Sequence, residues 1–354
     1  MIMSPYRVYL EVTRACPLQC LHCYADAGPA RKEEISLSEF NNLVTQMIQM
    51  KISELIISGG EPFIRKDIFD LLDAALIQGL KVSVLTSGIF IDKSMALRLK
   101  NYDIDLRFSL DGVTSETHDF IRGKGNLEKV ISAISILKEE GFQPLSVHFT
   151  VNSLNISEIL QLPSFLYRLG IRDVVISTIK PTGRAIKHPE LLVGAELMLL
   201  VRNRIKIISS NRYLIFHIHK EKNWDGLGCP AAHTKCGITA DGRITPCVFL
   251  GEEYEGASIR EHSLKELWEN DEKMNEVRSL SSVQGCSSCG GDGGCRARAL
   301  YYSGSLKGAD PYYTEVERYK NTNQDINTVH HIRGVKSIYK RFFNSLKNIM
   351  VHEI

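Results

Sequence analysis

"YRVYLEVTRACPLQCLHCY", residues 6–24, joins an alternating run of β-branched and aromatic residues to cysteines at 16, 20 and 23, with a tyrosine directly after the third. The run at 6–12 reads as a β-strand, so the three thiols fall in the loop at its C-terminal end. Further strand signals follow at "ELIIS" (54–58), "KVSVLT" (81–86), "IDLRFSL" (104–110), "LSVHFTV" (145–151) and "DVVIST" (173–178). Between them, 38–50, 67–78, 93–100, 126–140 and 155–169 carry the helical period. Such strand–helix alternation implies a parallel sheet, closed or curled, with helices outside. Right-handed crossovers place all strand C-terminal ends on one edge, where α/β proteins hold their chemistry.

Composition narrows the class. The 354 residues are 44% hydrophobic and 24% charged, as in a soluble globular protein. A net charge of +2, from 43 basic and 41 acidic residues, argues against a nucleic-acid partner. The opening "MIMSPYRVYLEV" lacks the apolar core of a signal peptide, and no apolar run approaches the ~18 residues of a membrane span. A cytoplasmic protein is expected, in which thiols stay reduced. The nine cysteines cluster at 16, 20, 23, then 229, 236, 247, then 286, 289, 295, with none from 24 to 228. Cysteines serving as small core hydrophobes would be scattered. This grouping points to metal.

A C-x3-C-x2-C turn offers three of the four thiolates that an iron–sulfur cube takes, which leaves one iron open for a substrate. Zinc is the alternative, but its sites pair one C-x2-4-C with a second pair, and only His22 lies nearby. Other strand ends carry polar signatures: "SGGEP" (58–62), "TSG" (86–88), "SLDG" (109–112), then "HDFIRG" (118–123) and "TVN" (150–152). Paired glycines allow a close backbone approach to a ligand, and a carboxylate can accept from an ammonium.

Together these motifs, over residues 6 to about 180, resemble the radical S-adenosylmethionine (SAM) enzymes. The resemblance implies that Cys16, Cys20 and Cys23 carry a 4Fe–4S cluster whose open iron chelates SAM. An electron from the cluster then splits SAM to methionine and a 5′-deoxyadenosyl radical that takes hydrogen from a C–H bond. It implies contacts to SAM from Tyr24, Ser58, Gly59, Gly60, Glu61 and Pro62, and from Thr86 and Ser87. Ser109 and Asp111 would meet the ribose or methionyl end, Arg122 the carboxylate as a fork, and Asn152 the adenine side.

The C-terminal third has its own likeness. Cys229, twelve residues, Gly242, four residues and Cys247, followed by "CSSCGGDGGCRARA" (286–299), resembles the SPASM extension with its auxiliary clusters. "ITADGRITPC" reads as a hairpin turning at Asp-Gly, which would bring Cys236 and Cys247 together. "PTGRA" (181–185) is similar to the subgroup that makes modified haems and peptides. The pattern departs from SPASM at "DPYY" (310–313), which has tyrosine where a last cysteine is expected, and at Asp292, which stands for a cysteine. Two alignments fit: counted forward from Cys286, Cys295 is the third cysteine of that run and the fourth is missing; aligned on "GGCRARA", the preferred count, the first auxiliary set is Cys229, Cys236, Cys247 and Cys295. Cys286, Cys289 and Asp292 remain for a second cluster. A twitch-like single cluster completed by Cys286 or Cys289, or a zinc at that pair, stays open.

The expected fold is thus a partial (β/α)6 barrel, residues 1–212, followed by a smaller α+β cysteine-rich domain, 213–315, and a tail, 316–354. Within the tail, 329–351 places Ile332, Val335, Ile338, Phe342, Leu346 and Ile349 on one helical face amid basic residues. Such a helix either caps the barrel, the favoured reading, or rests on a membrane or acidic partner. The implied reaction is SAM-dependent C–H activation, first on a ribosomally made peptide, as a crosslink or oxidation. The alternative is oxidation or rearrangement of a small metabolite or tetrapyrrole, and a non-catalytic iron–sulfur or zinc protein is the reading from another class. The first strand begins by about residue 6, so a separate protein, or else the basic C-terminal helix, is expected to recognise the peptide's leader. A flavodoxin or ferredoxin is expected to deliver electrons.

Overall fold

The six strand signals become six parallel strands. A computed structural model of the chain describes residues 2–195, 197, 229–280, 294–312 and 314. Its strands β1 (Arg7–Thr13), β2 (Glu54–Gly59), β3 (Lys81–Thr86), β4 (Ile104–Leu110), β5 (Leu145–Val151) and β6 (Asp173–Thr178) lie side by side in chain order. Alternation decides the faces. On β4, Leu106, Phe108 and Leu110 pack into the core, while Asp105, Arg107 and Ser109 line the barrel interior.

Helices α1 (Leu37–Gln49), α2 (Ile68–Ile77), α3 (Lys93–Leu99), α4 (Ser115–Arg122), α5 (Asn126–Glu139) and α6 (Leu162–Arg168) fill the crossovers. Helix α1 begins with a reciprocal cap. Ser36 accepts from the Glu39 amide, and the Glu39 carboxylate accepts from the Ser36 amide, a device worth about 1 kcal/mol. Its face at Phe40, Leu43, Val44 and Met47 is buried.

Two segments differ from the sequence reading. Helix α4 was not foreseen because it is short and polar; it buries only His118 and Ile121. It starts on a Thr114 cap and stops at Gly123, whose φ is +105°. The single helix expected at 155–169 is split into a 3-10 turn, Ile156–Glu158, and α6. Pro163 sits in the first turn of α6, where a helix can start without its amide. The Glu158 carboxylate holds the detached turn against α4, accepting from the Val113 amide and from the hydroxyls of Thr114 and Thr117.

The sheet does not end at β1. Strand β7 (Lys235–Ile238) joins its outer edge in parallel, with Cys236 opposite Val8 and Ile238 opposite Leu10. Strand β8 (Ile244–Thr245) returns antiparallel to β7, after a turn in which Gly242 has φ +84°, as the Asp-Gly signal anticipates. Among the described residues the helices α7 (Leu264–Asn270), α8 (Glu272–Arg278) and α9 (Arg296–Ser303) follow. Trp268 of α7 is 1% exposed and donates to the Met3 carbonyl. One apolar cluster runs from Val8 and Phe40 to Cys236, Trp268 and Met274, so barrel and C-terminal hairpin share a core.

Among the described residues no helix is long and apolar enough to cross a membrane. The segment 329–351 lies outside the described residues, as do Cys286, Cys289 and Asp292.

Candidate active site

A cavity of about 1120 Å³ opens at the strand C-terminal ends and runs down the barrel interior to Arg7, Glu54 and Lys81. Cys16, Cys20 and Cys23 line it, and so do Cys229, Cys247 and Cys295. Two cysteine groups far apart in sequence therefore share one space.

Backbone stitching builds the first group. The Gly60 amide donates to Thr13, Glu61 to Ala15, Leu21 to Ile121, and Arg184 to Cys23. A Cβ on Gly59 would lie 2.2 Å from the Thr13 carbonyl oxygen, and one on Gly60 would lie 2.2 Å from that of Ala15. The glycine pair thus serves the close approach of the cysteine loop itself, a different reason from the ligand contact read in the sequence. Gly183, at φ +58°, repeats the device, since a Cβ there would lie 2.3 Å from the Tyr24 carbonyl oxygen.

Sulfur-directed donors test the fit to an iron–sulfur cluster. The Cys16 sulfur accepts from the Leu18 amide, Cys23 from Ala27 at 3.4 Å, and Cys20 from an Arg122 Nη at 3.9 Å. In the second group, Cys229 accepts from the amides of Arg296 and Ala231, and Cys247 from Phe249. Such donors tune cluster sulfurs. Burial pushes the Cys16 and Cys229 thiols up to about 11, so iron must displace protons to bind. Among the described residues no three cysteine, histidine or carboxylate side chains converge as on a single metal ion. The fit therefore rests on the N–H···S groups and the shared cavity.

Cys236 stands apart. It is 1% exposed, packs in the core cluster, and does not line the cavity. Burial pushes its thiol up to about 12, and Arg278 is its charged neighbour. The sequence reading grouped it with Cys229, Cys247 and Cys295; the structure brings only those three together. Cys236→Ala is therefore expected to keep wild-type auxiliary iron, at a stability cost of about 1 kcal/mol, whereas Cys229→Ala loses that iron. Iron and sulfide analysis of the two purified variants checks this.

Tyr24, Ser58, Gly59, Gly60, Glu61, Thr86, Ser87, Ser109 and Arg122 all line the cavity. The Glu61 carboxylate, however, is already engaged. It accepts from Thr86 Oγ1 at 2.7 Å, from the Phe63 amide at 3.3 Å, and from the amide and hydroxyl of Ser87 at 2.8 and 2.5 Å. It brackets the end of β2 to the end of β3, and burial raises its pKa despite these donors. The Tyr24 ring meets Phe249 edge-on at 5.1 Å, linking the first cysteine loop to the Cys247 loop. Tyr312 donates its hydroxyl to the Val193 carbonyl.

Pro62, Asp111 and Asn152 do not line the cavity. Pro62 begins a buried 3-10 turn behind it. Asp111 is fully buried, accepting from His22 Nε2 at 2.6 Å, Arg122 Nε at 2.5 Å and the Thr150 amide at 3.0 Å. Burial would raise its pKa, but Arg122 and His22 outweigh that and hold the carboxyl far below the usual range. Asn152 spends its side chain on the turn after β5, accepting from Leu154 and Asn155 amides and donating to Thr150. Asp111 and Asn152 are thus buried outside the cavity lining.

His118, also buried, accepts through Nδ1 from the Asp111 amide at 3.2 Å. Burial, then Arg122, lowers its pKa from 6.5 to about 4. Below pH 6.5 the unfolded chain binds a proton that folded His118 refuses, so stability is present above that pH and falls toward pH 4. The expected loss approaches about 3 kcal/mol. Urea midpoints at pH 7 and 4.5, compared with His118→Gln, check it.

Sequence reasoning missed three side chains. Arg184 donates to the Cys20 carbonyl at 3.0 Å and pairs with Asp26 at 2.7 Å; the signal was the Gly-Arg of "PTGRA" (181–185), in the loop after strand six. Lys180, 6% exposed, lines the cavity with Nζ 3.2 Å from Thr178 Oγ1. Arg298 forks Asp310 at 2.9 and 2.7 Å and reaches Thr178 at 3.1 Å, while Asp310 accepts from the Cys295 amide at 2.6 Å. The "DP" turn thus holds Cys295 in place.

Comparison with known proteins accords with this geometry. The radical SAM superfamily profile matches residues 10–192, and the SPASM iron–sulfur cluster-binding domain profile matches 229–290. Mycofactocin maturase MftC of Mycolicibacterium smegmatis is 26% identical over 336 residues, 88% of this chain and 83% of that one. The AdoMet-dependent heme synthase of Methanosarcina barkeri is 26% identical over 341 residues, 88% and 97% of the two chains. The crystal structure of Streptococcus suis SuiB bound to precursor peptide SuiA shares the fold, with TM-score 0.72 at 20% identity over 88% and 75%. With the superfamily profile spanning more than half its length, the chain belongs to the radical SAM superfamily: it is an enzyme of SAM and a 4Fe–4S cluster, with a SPASM domain for auxiliary iron–sulfur clusters.

Proposed function

We propose that this enzyme crosslinks or oxidises a ribosomally made peptide lying in the barrel between its two cysteine groups. The observation that carries the reading is the single cavity lined by both groups. Its deeper wall is polar, with the Arg107–Asp105 ion pair at 2.5 Å and His148 on Ser177 at 2.7 Å. A long, largely apolar lumen that carries such polar groups at intervals suits an extended chain, whose side chains need apolar contact and whose backbone groups need partners. The maturase and peptide-bound relatives point the same way.

In this reading Cys16, Cys20 and Cys23 hold the SAM cluster, with Ser109 and Arg122 at the SAM end and Gly59 and Gly60 fixing the loop. Cys229, Cys247 and Cys295 hold an auxiliary cluster, and Cys286 and Cys289 supply further ligands. When bound, the SAM cluster supplies the electron that releases the 5′-deoxyadenosyl radical; the chain's part is to orient the substrate C–H and exclude water. The division at residues 212 and 315, a flavodoxin- or ferredoxin-type donor and a separate leader-binding protein belong to the same proposal. The haem synthase relative favours a second reading, a tetrapyrrole substrate.

Anaerobically reconstituted enzyme, SAM and reductant are incubated with short peptides encoded beside the gene, or with porphyrins. A cognate peptide is expected to raise 5′-deoxyadenosine formation at least ~10-fold, about 1.4 kcal/mol of barrier, and to lose hydrogen by mass spectrometry. Stimulation by porphyrin alone would establish the second reading instead.

A further inference from the structure

Behind the first cysteine loop lies a charged unit whose hydrogen bonds are complete within the chain, although Arg122 is also placed at the SAM end. Asp111 Oδ2 accepts from both Arg122 Nε and His22 Nε2, at 2.5 and 2.6 Å. Its other oxygen accepts from the Thr150 amide at 3.0 Å, and its carbonyl from Asn155 Nδ2 at 3.1 Å. The carboxylate is thus pinned from β5, and the Asp111 backbone from the loop after it. The side chains of Asp111, His22 and Arg122 are 0%, 7% and 12% exposed. Helix α4, which carries Arg122, is tied to the cysteine loop by the Leu21 amide on the Ile121 carbonyl at 2.9 Å. The outcome is an arginine held from behind by its Nε, with an Nη 3.9 Å from Cys20 Sγ.

We propose that Asp111, His22 and Arg122 form one positioning unit that sets a fixed positive charge against the Cys20 sulfur and so governs how readily the cluster on Cys16, Cys20 and Cys23 is reduced. This rests on the assignment of those cysteines to that cluster. Reduction adds one electron from an external donor such as dithionite and makes the cluster more negative; no bond need break. A nearby cation stabilises the more negative state, strongly so where water is excluded, and charge and hydrogen bonds at the sulfurs set cluster potentials. A fork on the SAM carboxylate would act only with SAM present. The unit described here acts without it.

The test is an EPR-monitored potential titration of reconstituted enzyme at pH 8.5 without SAM, following the signal that later SAM addition perturbs. Wild type must show this signal and the triple Cys16/Cys20/Cys23→Ala variant must lack it; failure there sinks the cluster assignment rather than the positioning unit. Arg122→Gln is expected to reduce at least tenfold less readily, a fall of about 59 mV for one electron. Arg122→Lys recovers most of that shift. Asp111→Asn, which removes the countercharge, moves the potential upward. Opposite signs are the signature, since general loosening of the loop would move both variants alike. Titration of Arg122→Gln and Asp111→Asn together with wild type, or a shift of both in one direction, overturns the proposal. If Arg122→Gln holds no cluster, the upward shift of Asp111→Asn decides alone.

Discussion

Replacing Cys16, Cys20 and Cys23 with alanine is expected to reduce 5′-deoxyadenosine formation from SAM at least ~1,000-fold, more than about 4 kcal/mol of barrier. The three thiols stand on one wall of the cavity, each with an N–H group directed at its sulfur. No side chain substitutes for a cluster as an electron source. Iron should fall without vanishing, because Cys229, Cys247 and Cys295 belong to other segments of the chain, with Cys295 held by Asp310 and, through it, Arg298. Product analysis by chromatography, beside iron quantification, reads both effects. Residual SAM cleavage at the wild-type rate would remove the triad from the reaction.

Gly60→Ala is expected to be almost as damaging although no ligand or catalytic group is altered. The new methyl would lie 2.2 Å from the Ala15 carbonyl oxygen and 2.7 Å from its carbon. That carbonyl belongs to the residue before Cys16 and already accepts from the Glu61 amide at 2.9 Å. The loop must therefore retreat, and a displacement near 1 Å at a reacting centre costs ~100-fold in rate. Stability should fall by about 1–3 kcal/mol, as overpacking does. Gly194→Ala is the control, since a Cβ there meets nothing within 4 Å. Equal SAM cleavage by the two variants would show that the loop tolerates the shift.

Strands declare themselves in this chain because each combines β-branched residues with turn signals at both ends. All six begin within one residue of their sequence positions. Helix α4 escaped because two buried residues in eight make no apolar period. The site was legible as a set of strand ends, and nine of the twelve SAM-contact candidates do line the cavity. What the sequence hides is the facing of residues just past a strand, as at Asp111 and Asn152. Cys236 shows the same limit. A four-residue strand gives no clue to which of its alternating positions is inward, and only pairing with β1 puts Cys236 opposite Val8.

That pairing of β7 with β1 has a mechanical corollary. The loop bearing Cys16 to Cys23 and the hairpin leading to Cys247 hang from adjacent strands of one hydrogen-bonded ladder, so the interval between them behaves like a caliper locked at a single setting. In the proposed reading, substrates of different size are accommodated by how far they slide along the lumen, and selectivity becomes a question of which carbon stops at the gauge mark.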